Sequence, residues 1–140
     1  MRAAFEGFHP QVEHVLAATP EVHKWALIDR DPLERWSDRN VTLLGDACHP
    51  MTPYMAQGAA MAIEDAVVLS RLLAEVGDHS EIEVAFRRFE ATRKDRTSRV
   101  QLTSRTNTWL KDPTDVDWVY SYNAWTTPLA DSSAYAPNPA

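Results

Sequence analysis

The chain has 140 residues, with 14 Lys+Arg against 20 Asp+Glu and a formal charge of −6. Its 44% apolar and 24% charged content excludes global disorder, and no apolar run approaches the ~18 residues of a membrane span. The acidic balance argues against nucleic acid as a partner, and the single cysteine, Cys48, excludes an internal disulfide and a multi-cysteine metal site.

No apolar leader follows Met1, so the expected setting is the reducing cytoplasm. His9-Pro10 opens a short helix through Val12, Val15 and Leu16, ending at Thr19-Pro20. Lys24 to Asp29 alternates weakly and reads as a strand, broken by Asp29-Arg30-Asp31-Pro32. Ser37-Asp38-Arg39-Asn40 forms a polar turn into Val41-Thr42-Leu43-Leu44, a β-branched run bounded by Gly45 that reads as a short buried strand. Two prolines and two glycines between Gly45 and Gly58 make that stretch a loop. Ala59 to Val76 is a helix with apolar residues on most faces, expected to be buried on more than one side and stopped by Gly77. Ser80 and Glu83 look like a capping box for a further helix with an Ile82, Phe86, Phe89 stripe, running toward Leu110 and ended by Asp112-Pro113. Seven basic residues lie on it (Arg87, Arg88, Arg93, Lys94, Arg96, Arg99 and Arg105), read as a solvated face with partners such as Glu83 for Arg87. Asp117 to Tyr120 forms one more helical turn, and the chain after Trp125 reads as a mobile tail.

The segment from Val41 to Leu73 carries the chemical signal. It sets a carboxylate, Asp46, just past a strand, and a helix N-terminus at Gly58-Ala59-Ala60. Free N–H groups there suit an electron-rich ligand atom, and small residues let a flat ligand approach the backbone. Asp46 can accept hydrogen bonds from ligand hydroxyls, so the pattern suits a planar, polyhydroxylated, electron-accepting cofactor.

Val41-Thr42-Leu43-Leu44-Gly45-Asp46-Ala47-Cys48-His49-Pro50, followed by Pro53, Gln57-Gly58 and Ala62-Ile63-Glu64-Asp65-Ala66, resembles the second flavin-binding motif of the single-component FAD-dependent aromatic-ring hydroxylases, the para-hydroxybenzoate and salicylate hydroxylase superfamily. Within it the chain is most similar to the hydroxynicotinate-type branch, at His49-Pro50-Met51, Met55 to Met61 and Asn107-Thr108-Trp109-Leu110. The resemblance implies a mainly helical α/β fragment, the C-terminal part of a para-hydroxybenzoate-hydroxylase-like FAD-binding fold. It implies residues 1–40 as a remnant of the substrate-domain edge, 41–77 as the C-terminal FAD-binding segment, 78–125 as a helical region and 126–140 as a tail.

The family's N-terminal Rossmann G-x-G-x-x-G is absent from this chain, whose glycines are Gly7, Gly45, Gly58 and Gly77. Asp46, next to Gly45, would hold the ribityl chain of FAD, and the Gly58-Ala59-Ala60 backbone would face the flavin N1–C2=O edge. Pro53 would flank the ring where substrate docks. The implied oxidoreductase chemistry is reduction of FAD by NADH or NADPH and transfer of one oxygen atom of O2 to an aromatic acid, 6-hydroxynicotinate-like or salicylate-like. Tyr54 would face that acid.

Other readings stay open at several residues. His49 either touches flavin or substrate or is a loop histidine paired to backbone, while Cys48 fits small core packing. Glu64 and Asp65 point about 100° apart on a helix, which favours a polar network over shared proton chemistry. Histidine spacing offers no metal motif. Trp109, Trp118 and Trp125 suit packing or an interface. The rival to a monooxygenase part is a non-catalytic helical assembly module, with residues 80–125 pairing two chains, so a homodimer is one option.

Overall fold

The computed structural model describes residues 2–106 and 115–133. Helix α1 (Pro10–Ala17) starts as expected, with Pro10 in its first turn and His9 Nδ1 accepting the Gln11 N–H at 3.3 Å. The strand expected over Lys24–Asp29 is not formed. No described strand lies beside it, so its backbone has no ladder to join, and Trp25 (83%) and Ile28 (82%) face solvent. Among the described residues the segment is anchored at its end, where Arg105 pairs with Asp29 at 2.6 Å and Asp31 at 2.7 Å, and Gln101 Nε2 donates to the Arg30 carbonyl at 2.8 Å.

Strands β1 (Ser37–Asp38) and β2 (Val41–Thr42) form an antiparallel hairpin, pairing Ser37 with Thr42 and Asp38 with Val41. The expected turn is thus half strand, and the expected buried strand shrinks to two residues with Val41 exposed. Only one described partner strand is available, and it has two residues.

Helices α2 (Gly58–Leu73) and α3 (Ile82–Thr106) make an antiparallel hairpin that carries the core. The buried face of α2 is a single stripe, Met61, Asp65, Val68 and Leu72, while Ile63 and Leu73 are exposed, contrary to the expectation of several buried sides. The matching stripe of α3 is Ala85, Phe89, Arg93, Thr97, Val100 and Ser104, leaving Ile82 and Phe86 half-buried. One apolar cluster joins Trp36, Cys48, Val68, Leu72, Ala85 and Phe89; a second joins Met55, Met61, Val100 and Val119.

Helix α2 ends at Leu73 rather than at Gly77, whose N–H instead donates to Glu81 Oε2 at 2.7 Å. The capping box is also two residues earlier than expected. Asp78, in extended backbone, accepts the Ser80 N–H at 2.9 Å, while Glu81 reaches back to the Asp78 N–H at 3.3 Å. Glu83 is thereby free to pair with Arg87, as the spacing predicted.

Helix α4 (Asp117–Tyr120) forms where expected, with the Arg99 guanidinium 3.9 Å from the Trp118 ring centre. Trp109 and the helix end at Asp112-Pro113 lie outside the described residues. The segment expected to be a tail is docked at its start. Arg88 Nε donates to the Ala130 carbonyl at 2.7 Å, the Ala130 N–H donates to Thr92 Oγ1 at 3.0 Å, and Leu129 packs on the first cluster. Among the described residues no helix is long and apolar enough to cross a membrane.

Candidate cofactor-facing site

Gly45 turns the chain at φ +59°, a left-handed conformation that suits glycine, and a Cβ there would lie 3.1 Å from Ala62 Cβ. A one-turn 3-10 segment follows over Gly45–Ala47, in which the Gly45 carbonyl accepts the Cys48 and His49 N–H groups at 3.0 and 2.9 Å. This tight return sends Asp46 outward and buries Cys48 and His49. The Asp46 carboxylate accepts no hydrogen bond from the described residues that precede the helix or begin it. Its Oδ1 lies 3.8 Å from the position a Cβ on Gly58 would take, as does Met51 Cγ.

Helix α2 begins at Gly58 with no side-chain cap, and the first N–H bonded into the helix is that of Met61, to Gln57 at 2.9 Å. The N–H groups of Gly58, Ala59 and Ala60 therefore have no acceptor within the helix, and Gly58 lies beside Asp46. Pro53 and Tyr54 stand exposed on a 3-10 turn (Pro53–Met55) whose Met55 is buried, and Ala56 closes it at φ +52°. Thr52 ties this loop to α3, its hydroxyl 2.8 Å from Ser104 Oγ. Asp46, Gly58 and Met51 are thus brought together at an open surface. Gly45 and His49 lie beneath it, both buried.

The polar network expected of Glu64 and Asp65 lies underneath, with partners that the sequence did not name. Asp65 is fully buried and accepts three side-chain or backbone donors: Gly45 N–H at 3.1 Å, His49 Nε2 at 2.6 Å and Arg93 Nε at 2.7 Å. His49 thus pairs with a side chain on α2 rather than with backbone, buried beneath the surface, and its ring also packs against Trp36 with centroids 5.5 Å apart. Arg93 is fully buried too, with Nη2 2.8 Å from Glu64, and Arg96 forks onto Glu64 at 2.9 Å while donating to the carbonyls of Trp118 and Val119. The solvated-face reading of the basic helix therefore fails at Arg93 and Arg96. The signal was present in the register: Asp65 and Arg93 both occupy positions that the helical period assigns to the apolar stripe.

Burial pushes the Asp65 carboxyl up, but the bonds from His49 and Arg93 and the Arg93 charge outweigh it and hold it below the usual carboxylate range. Burial, with the Asp65 charge, pushes the Cys48 thiol up to about 12. Cys48, His49 and Asp65 place ligand-type atoms within 4.8 Å of one another. Their chemistry opposes a bound cation, since the thiol stays protonated and the guanidinium already occupies the carboxylate.

This fold and site are those of a flavoprotein: the chain belongs to the FAD binding domain family, whose profile matches residues 10–104. Among curated relatives, it is 53% identical over 133 residues to a 6-hydroxynicotinate 3-monooxygenase from Bordetella bronchiseptica, covering 94% of this chain and 34% of that protein. It is 52% identical over 136 residues to the protein of the same name from Pseudomonas fluorescens, covering 97% and 35%. To a 3-hydroxybenzoate 6-hydroxylase from Klebsiella oxytoca it is 42% identical over 102 residues, covering 72% and 25%. Among solved structures, HpxO of Klebsiella pneumoniae complexed with FAD and uric acid matches with a TM-score of 0.64 and 32% identity, over 86% of this chain and 32% of that one. FqzB matches with a TM-score of 0.63 and 34% identity, over 71% and 27%. The chain therefore spans about a third of the length of the first two curated relatives.

Proposed function

We propose that this chain is the C-terminal, cofactor-facing part of an FAD-dependent monooxygenase that hydroxylates an aromatic or N-heteroaromatic acid with NADH or NADPH and O2. The observation that carries the reading is an exposed Asp46 carboxylate at an uncapped helix start. The donor set fits a flavin: an exposed carboxylate for ribityl hydroxyls, three N–H groups of an uncapped helix start for an electron-rich ring edge, and a Cβ-less Gly58 beside the carboxylate. Bound FAD would supply the electron transfer and the oxygen chemistry.

The chain's own residues bind and orient. Asp46 would accept hydroxyl hydrogen bonds, and the Gly58-Ala59-Ala60 amides, with the α2 dipole behind them, would favour negative charge at the facing edge. Pro53 and Tyr54 would lie on the substrate side, where the Tyr54 hydroxyl can hydrogen-bond a hydroxylated aromatic acid. The ADP half of FAD would be held by a Rossmann portion that this chain does not contain. The substrate class follows the relatives, whose names specify 6-hydroxynicotinate and 3-hydroxybenzoate.

The test is FAD titration of the chain, followed by quenching of flavin fluorescence. Binding is expected for the parent, and Asp46→Ala is expected to weaken it about tenfold to a hundredfold, the worth of one charge-assisted hydrogen bond. Equal affinity in parent and variant would remove Asp46 from the site. A folded chain with no affinity for FAD would favour the assembly-module reading.

A further inference from the structure

An ionic cluster at zero exposure is a poor way merely to join two helices, because desolvation offsets most of the attraction between the charges. Apolar side chains of similar volume at positions 65 and 93 would hold α2 to α3 as well. They would not accept hydrogen bonds from Gly45 and His49, and those two residues bracket Asp46.

The geometry points to Asp65 as the positioning residue that sets the Asp46 carboxylate against the start of α2. One oxygen, Oδ2, takes both the Gly45 N–H at 3.1 Å and His49 Nε2 at 2.6 Å, so it fastens both ends of the turn to the helix hairpin. The other oxygen takes Arg93 Nε at 2.7 Å, which fixes the carboxylate plane and keeps it ionised. Gly45 needs such a restraint, since a glycine at φ +59° has more conformational freedom to lose than any other residue. Trp36 completes the fixation by packing on the His49 ring. The inference rests on the flavin reading of Asp46 and adds to it the device that places that group.

The experiment compares the 140-residue chain with Asp65→Leu/Arg93→Met, which removes both charges together, and with Asp65→Asn, which keeps one neutral acceptor. Amide hydrogen exchange at Gly45 and Val68 is read without cofactor, and FAD affinity is read by fluorescence quenching. The double variant is expected to melt close to the parent. Its Gly45 amide exchanges about tenfold faster or more while Val68 is unchanged, and FAD binds about tenfold to a hundredfold more weakly. Parent-like exchange at Gly45, or parent-like FAD affinity, would overturn the inference. If the parent takes up no FAD, the flavin reading falls, and exchange at Gly45 alone decides whether Asp65 holds the turn. If the double variant does not fold, Asp65→Asn decides. Fast exchange at Gly45 with Val68 still protected supports positioning, whereas joint loss at both sites marks a structural ion pair and overturns it.

Discussion

Asp65 carries a charge out of water, and its ionisation depends on three donors from three parts of the chain. Its folded pKa lies below the unfolded value of about 3.9. The sign is therefore that of a depressed acid: the stabilisation is present above the unfolded pKa and is lost as pH falls through the folded one. Melting temperatures are expected to fall steeply only below about pH 4. Asp65→Asn should lose about 1.5–3 kcal/mol at neutral pH, because the charge-assisted bonds to Asp65 weaken while Glu64 still pairs with Arg93, and should show a flatter acid limb. Parallel acid limbs for parent and variant in melts from about pH 2 to 6 would refute this. The residues proposed to face the cofactor, Asp46, Gly58, Ala59 and Ala60, could be singled out in the sequence because they lie on one loop and one helix start. Asp65 was legible only as a network residue. Its partners lie 20, 16 and 28 positions away, and only the packed α2–α3 hairpin brings them together.

At the scale of elements, two glycines near Asp46 make opposite demands. Gly45→Ala forces an L side chain into a left-handed conformation and sets its Cβ 3.1 Å from Ala62 Cβ. A loss of about 1–2 kcal/mol or more is expected in chemical denaturation. At Gly58 an added Cβ meets Asp46 Oδ1 and Met51 Cγ at 3.8 Å, ordinary contact, so Gly58→Ala should leave stability within about 1 kcal/mol of the parent. A loss at Gly58 as large as that at Gly45 would contradict this geometry. Helices were the most readable elements. Pro10 and the Asp117–Tyr120 turn carry local signals, and α2 has strong helix formers throughout. Strand reading failed at Lys24–Asp29, because alternation describes a strand's faces and says nothing of the neighbour that must satisfy its backbone.

Across the whole molecule, exposed apolar side chains gather on the segment holding Val22, Trp25, Leu27 and Ile28, with Ile63 on the outer side of α2. In the proposed monooxygenase these are faces for the remainder of the fold to cover. The interior, by contrast, is closed around the α2–α3 hairpin, and Cys48 sits fully inside it, its Sγ donating to the Gly45 carbonyl at 3.3 Å. Burial that holds this thiol near 12 makes it a chemical clock for opening of the turn. At about pH 8 the folded thiol should alkylate about a thousandfold more slowly than an unfolded one of ordinary pKa near 8.5. Labelling by iodoacetamide is expected to rise with urea in step with loss of the circular dichroism signal, and prompt labelling of the native chain would contradict the burial. A single sulfur atom thus lets the opening of the Gly45–Ala47 turn be timed without any added ligand.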